Sequence, residues 1–168
     1  IRAGVLEQVS IDLLTQAGAA ERMQAEGLPH NGIELLFGGK RHRINLPALT
    51  GGRHVMVYGQ TEVTRDLMAA RAKAGLTTVY EALDVQLHGI ESAQPSVSYT
   101  KDGVRQTIRC DYIAGCDGFH GVCRASAPQD TIKTFEKIYP FGWLGLLSDT
   151  PPVADELIYA HTERGFAL

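Results

Sequence analysis

Apolar positions along the chain switch between two periods, and the switches divide it into elements. Over residues 5–17 the side chains Val5, Leu6, Val9, Leu13, Leu14 and Ala17 recur at three-to-four spacing, with Gly18 placed to cap the end. The spacing predicts an amphipathic helix. A second short helix spans residues 20–26 and stops at Gly27, after which residues 32–37 and 41–46 read as two strands joined by Gly38-Gly39, a hairpin. Residues 54–58 form an apolar strand. Gly59-Gln60-Thr61 then leads into a helix with Val63, Leu67, Ala70 and Ala74 on one face and Gly75 at its end. A strand feeding a helix through a glycine turn is an α/β unit.

The period shortens after residue 76. Residues 77–82, 84–90, 97–100 and 104–113 are β-like, and Lys101-Asp102-Gly103 is a strong hairpin turn, so an antiparallel meander is the simplest arrangement. It runs into an apolar strand at residues 112–118 whose end carries small residues, followed by a short helix to about residue 125. Beyond Pro128 the pattern is sheet-like again, with residues 139–148 and 157–160 flanking a turn at Pro151-Pro152. The fold class expected is mixed α/β and α+β, with a domain boundary near residue 130. No internal repeat or low-complexity segment interrupts it.

Composition narrows the classes open to such a chain. Its 168 residues carry 16 Lys+Arg against 19 Asp+Glu, a net charge of −3, with 44% hydrophobic content. These are values of an ordinary globular protein. No apolar run approaches the roughly 20 residues of a membrane span, and no basic-then-apolar start marks a signal peptide, so the expectation is a cytoplasmic protein without a membrane partner. Nucleic acid is not expected either, because phosphate binding shows as a basic excess or stripe. The short cluster Lys40-Arg41-His42-Arg43 reads as the solvated face of a hairpin strand. Cys110, Cys116 and Cys123 form no CxxC pair, and their odd number fits a reducing compartment better than a disulfide framework, with no metal site expected. The start at Ile1 and the end in Gly165-Phe166-Ala167-Leu168 read as those of an internal piece of a longer protein.

Chemistry concentrates at Gly115-Cys116-Asp117-Gly118-Phe119-His120-Gly121, with Arg124 close behind. Glycines let a backbone approach a ligand, a helix N-terminus offers N–H groups to phosphate, and a carboxylate accepts from a ribose hydroxyl. Asp117 as a plain helix cap explains the same residues. His120 has no second titratable partner assignable from sequence, and a surface or capping role is its ordinary reading. Arg2-Ala3-Gly4 ahead of a helix is a second candidate anion site. Gln60, in the strand-to-helix turn, either hydrogen-bonds a cofactor or stabilises the turn. Trp143 and Tyr159 fall in apolar β segments, where core packing is the ordinary reading. No Ser-His-Asp order, HExxH, Walker A or GxGxxG occurs.

The run Tyr58-Gly59-Gln60-Thr61-Glu62-Val63-Thr64-Arg65-Asp66-Leu67, together with residues 111–121, resembles the group A flavoprotein monooxygenases, FAD-dependent aromatic hydroxylases, in the branch that acts on 4-hydroxybenzoate. Residues 2–8, 139–147, 156–160 and 164–168 extend the likeness end to end. It implies hydroxylation of 4-hydroxybenzoate to 3,4-dihydroxybenzoate with FAD, NADPH and O2, in a homodimer. A relative acting on another phenolic acid, or a non-catalytic binding module, is the alternative.

Residue by residue, Ile1, Arg2, Ala3, Gly4 and Val5 resemble the family's FAD-contacting loop, with Arg2 toward the pyrophosphate. Gln60 is similar to its flavin-contacting glutamine. Asp117 and Gly118 resemble the Asp-Gly fingerprint that serves FAD and NADPH together, and His120 and Arg124 match positions implicated in NADPH binding. Many relatives carry Ser where this chain has Gly121. Tyr159 matches the tyrosine that hydrogen-bonds the substrate phenol. The resemblance thus makes residues 1–130 part of an FAD-binding, Rossmann-like domain with its meander, and residues 131–168 the start of a β-sheet substrate domain. The Gly-rich FAD fingerprint is expected ahead of Ile1. The Ser/Arg carboxylate site and a later Gly-Asp flavin motif are expected beyond Leu168.

Overall fold

The computed structural model describes residues 4–128, 130 and 132–168. Two compact units make up the chain, one running to Thr77 and resuming at Leu144–Leu168, the other Thr78–Trp143. This division follows packing density and is separate from the functional boundary expected near residue 130. Among the described residues no helix is long and apolar enough to cross a membrane.

The first unit opens with β1 (Val5–Leu6), which pairs antiparallel with β5 (Val55–Val57). The helix expected over residues 5–17 therefore begins later, as α1 (Gln8–Gln16). Val5 and Leu6 satisfy helical spacing and strand alternation equally, and the open edge of β5 decides between them. α2 (Glu21–Glu26) follows, then β2 (Leu28–His30), which covers the other edge of β5 and was not foreseen. The sheet admits Pro29 in this strand because β2 is an edge.

Around β5 sits a core of Ile11, Leu14, Ala19, Ala20, Met23, Met56 and Tyr58, with Leu6, Val63 and Ala70 packed against it. Val9 and Leu13, counted on the apolar face of α1, are exposed instead. α4 (Gln60–Lys73) follows the Gly59 turn as expected.

β3 (Gly32–Phe37) and β4 (Lys40–Asn45) form the expected hairpin, with Gly38 and Gly39 both at positive φ, the geometry a two-residue turn of this kind requires. β4 ends in α3 (Leu46–Thr50), a short helix not foreseen although its signals are present: Asn45 Oδ1 accepts the Ala48 N–H at 3.2 Å, Pro47 lies in the first turn, and Gly51 closes the helix at φ 70°. The hairpin shares its sheet with β9 (Leu157–Thr162) and β10 (Gly165–Ala167), in the order β10-β9-β3-β4. β3 and β9 run parallel, with Leu35 opposite Tyr159.

The second unit is the meander: β6 (Leu83–His88), β7 (Ser96–Lys101) and β8 (Val104–Arg109), antiparallel in that order, followed by α5 (Val122–Ser126). Asp102 and Gly103 turn the second hairpin with φ of 51° and 75°. Arg105 and His88 both reach the buried Ser98 hydroxyl, at 2.6 and 2.7 Å, and so tie the three strands across one face. The strands expected at residues 77–82, 112–118 and 139–148 do not form. Glu81 takes positive φ at one of these breaks and Gly118 at another, while Asp84 does so inside β6, where its register with β7 shifts. Trp143, read as a core aromatic, is 76% exposed.

Candidate cofactor site

The glycine turn between β5 and α4 collects the first group of candidates. Tyr58 closes the strand, and its backbone N–H donates to the Gly4 carbonyl at 2.7 Å. A Cβ on Gly4 would lie only 3.3 Å from the Tyr58 carbonyl oxygen and 3.4 Å from Gly59 Cα, so the absence of a side chain permits this approach. Val5 sits opposite Val57 in the same ladder. Gly4, Val5 and the turn before Gln60 are thereby brought together, while Ile1, Arg2 and Ala3 lie outside the described residues.

Gln60 is the first residue of α4, capped by Gly59 without any side-chain hydrogen bond. The Gly59 carbonyl accepts the Glu62 and Val63 N–H groups at 2.9 and 3.1 Å, and the positive end of the helix lies at Gln60. Gln60, Thr61, Thr64, Arg65 and Met68 line a cleft of about 480 Å³.

Beneath that turn lies a charged chain that sequence reading missed. The Tyr58 hydroxyl donates to Asp66 Oδ2 at 2.7 Å, and Arg22 donates through Nη1 to Asp66 Oδ1 at 2.7 Å and through Nη2 to Glu62 Oε2 at 2.6 Å. Glu26 completes it at 3.3 Å from Arg22, and Arg65 meets Glu62 at 2.8 Å. Tyr58 is 5% exposed and Asp66 9%. Burial first, and then the bond to Asp66, push the Tyr58 hydroxyl up to about 12. The hydrogen bonds that Arg22 donates to Glu62 and Glu26 raise its guanidinium above its ordinary value.

The second group lies within the meander unit. Asp117 Oδ2 accepts the Cys123 backbone N–H at 3.0 Å and so caps the start of α5. This bond, and then one from the Cys123 side chain, hold the Asp117 carboxyl below its usual range, while burial and Asp117 push the Cys123 thiol up. Gly118 follows at φ 74°, a conformation that favours glycine. A Cβ on Gly121 would overlap the Asp117 carboxylate.

The Arg124 guanidinium lies 4.2 Å above the Phe119 ring, His120 meets that ring edge-on at 5.0 Å, and Arg124 reaches Thr134 Oγ1 at 3.4 Å. Together Phe119, His120, Gly121, Arg124, Ile132 and Thr134 border a cleft of about 450 Å³. Cation and imidazole on its wall suit a phosphate-bearing ligand.

Tyr159 stands on β9, half-buried, its ring 6.2 Å from that of Phe166. His30 is a further titratable group that was missed, since the strand carrying it was not foreseen. It is 8% exposed, and its Nδ1 has no partner among the described residues.

The chemistry of the donors fits a flavin dinucleotide. A carboxamide such as that of Gln60 both donates and accepts, as the polar edge of a flavin ring requires, and the Gly4 backbone and the N-terminus of α4 flank it. A family model described as FAD binding domain matches residues 1–168, and the chain belongs to that family. FAD is therefore the cofactor of this fold. Over all 168 residues the chain is also 63% identical to a p-hydroxybenzoate hydroxylase of Acinetobacter baylyi, of which it spans 41%.

Proposed function

We propose that the polypeptide containing this chain hydroxylates 4-hydroxybenzoate to 3,4-dihydroxybenzoate, consuming NADPH and O2 and releasing NADP+ and water. The observation that carries this reading is the 63% identity, without a gap in coverage, to a p-hydroxybenzoate hydroxylase. Bound FAD supplies the redox chemistry, passing reducing equivalents from NADPH to dioxygen and delivering electrophilic oxygen.

The chain's own residues bind, orient and move protons. Gln60 hydrogen-bonds the flavin ring, the backbone of Gly4 and Val5 lines its path, and Arg2 neutralises the pyrophosphate. Asp117 and Gly118 shape the loop that serves both nucleotides, and His120 and Arg124 hold the NADPH phosphates, a role supported by their place on one cleft wall. Tyr159 accepts the hydrogen bond of the substrate phenol and draws its proton away. A phenolate pushes electron density into the ring, so the carbon beside it attacks electrophilic oxygen more readily. A tyrosine hydroxyl suits this because it donates and accepts at once. The enzyme acts as a homodimer in the cytoplasm, a compartment consistent with the unpaired Cys110, Cys116 and Cys123.

The visible spectrum of the full-length protein loaded with FAD, recorded while 4-hydroxybenzoate is titrated in, tests the reading. A flavin spectrum that shifts and saturates supports it. Bound flavin without a shift assigns another aromatic substrate, and failure to bind flavin leaves a non-catalytic module.

A further inference from the structure

Tyr58 works in two directions at once. Its backbone holds Gly4 at 2.7 Å, and its hydroxyl leaves on the other side to Asp66, six positions after Gln60 on α4. Asp66 uses each carboxylate oxygen for a different partner, Oδ2 for Tyr58 and Oδ1 for Arg22, which fixes the plane of the group. Arg22 in turn holds Glu62, in the first turn of α4. Helix and strand are thus tied by side chains on both sides of the Gly59-Gln60 turn. The turn itself is held by backbone bonds, the Gly59 carbonyl accepting the Glu62 and Val63 N–H groups at 2.9 and 3.1 Å, and not by side-chain packing, since a Cβ added at Gly59 would meet only Glu62 Cγ, at 3.9 Å.

Stability alone does not account for a buried carboxylate in this place. Val63, Asp66 and Ala70 form the core-facing stripe of α4, where an apolar side chain would pack without the cost of desolvating a charge. An ion pair with a buried carboxylate and a partly exposed guanidinium is weak evidence for net stability, and its fixed geometry points to orientation instead.

We propose that Tyr58 and Asp66 are positioning residues for the cofactor: through their hydrogen bond, braced by Arg22, they set the angle between β5 and α4 that aims Gln60 at the flavin. The proposal rests on the reading that Gln60 meets FAD.

A double-mutant cycle on the full-length protein separates the two. Apoprotein variants Tyr58→Phe, Gln60→Ala and the pair are titrated with FAD, following flavin fluorescence and absorption, with Asp66→Asn as a second route to the same break. Tyr58→Phe keeps the ring, and it is expected to weaken FAD binding about tenfold and to shift the flavin absorption band, as for one lost hydrogen bond to a charged group. In the Gln60→Ala background the same change is expected to cost less than about twofold, because the residue it positions is gone. An undiminished effect of Tyr58→Phe in that background, or no effect in the parent, overturns the proposal and leaves the reading of Gln60 standing. A silent Gln60→Ala overturns both.

Discussion

Arg43 on β4 grips Glu156 at the foot of β9 with two hydrogen bonds, Nε to Oε2 at 2.7 Å and Nη2 to Oε1 at 2.8 Å, joining positions 113 apart in sequence. The parallel register of β3 with β9 brings the pair together, and a Cβ on Gly32 would run into the same guanidinium. Bidentate geometry makes this a better ion pair than most at a surface. The basic cluster Lys40-Arg41-His42-Arg43 is consequently an exposed strand paired to acids, with Arg41 on Glu34 at 3.1 Å and His42 stacked on Phe37.

The bond from Arg43 holds the Glu156 carboxyl below its ordinary value of 4.5, with partial burial working against it. A depressed folded pKa contributes stability that is present above the unfolded value and lost as pH falls through the folded one. Protection of the β9 amides, their exchange taken relative to the intrinsic rate at each pH, is therefore expected to fall below about pH 4.5, and Glu156→Gln to flatten that acid limb. Identical pH profiles for the two proteins would contradict the assignment.

Gly121 and Asp117 occupy each other's space. Any Cβ at position 121 displaces the carboxylate from the Cys123 N–H. Gly121→Ala is expected to speed exchange of the Cys123 amide about fivefold, the scale of a lost helix cap, and to let the Asp117 carboxyl titrate nearer its usual value. Proton-exchange and carboxyl-titration measurements by NMR read both. An unchanged amide rate would show that the loop accommodates the methyl group by moving elsewhere.

Much of the local structure was legible because turn chemistry is local. Gly38-Gly39 and Asp102-Gly103 announce their hairpins through the positive φ they supply, and β5, the Gly59 turn and α4 follow from spacing alone. Faces and partners were less legible. Periodicity placed Leu67 in the core, whereas Leu67 is 40% exposed and Asp66 takes the inward position, a choice that depends on Arg22, 44 residues earlier. The β3–β9 pairing is equally non-local, so the hairpin and the strand carrying Tyr159 could not be joined by inspection.

An apolar run also misled at residues 112–118. There Gly115 packs so close to Cys123 that a Cβ would lie 2.7 Å from the cysteine's own, and Gly118 breaks the extended path. Of the site, the motifs around Gln60 and Asp117 were visible as glycine turns. The Tyr58–Asp66–Arg22 chain beneath one of them was not, because no spacing rule links its members.

Arg124 stacks on Phe119 while facing the cleft with His120, so its charge and its plane are both in use. If Arg124 holds the NADPH phosphates as proposed, Arg124→Ala raises the KM for NADPH about tenfold, the effect of a lost charge-assisted hydrogen bond, while kcat stays within about twofold. Arg124→Lys should recover part of that, since a lysine keeps the charge and loses the planar stacking. Steady-state kinetics at saturating 4-hydroxybenzoate distinguish this from a purely structural role, in which KM for NADPH would hold and only thermal stability would fall.

Tyr159 offers the sharpest division between packing and chemistry, because its ring and its hydroxyl can be separated. The ring is half-buried against β3 and 6.2 Å from Phe166, contacts that phenylalanine reproduces. Tyr159→Phe is therefore expected to leave thermal stability and FAD binding unchanged. If the hydroxyl draws the proton from the substrate phenol, its loss lowers the rate of ring hydroxylation about a hundredfold or more, the scale of one general acid–base contribution. NADPH consumption continues in that case, because reduction does not pass through the phenol. Product formed per NADPH oxidised then collapses, which chromatographic assay of 3,4-dihydroxybenzoate against the loss of NADPH absorbance measures directly. A variant that keeps its product yield would make Tyr159 a packing residue of the β9 sheet, and the proton of the substrate would have to leave by another group.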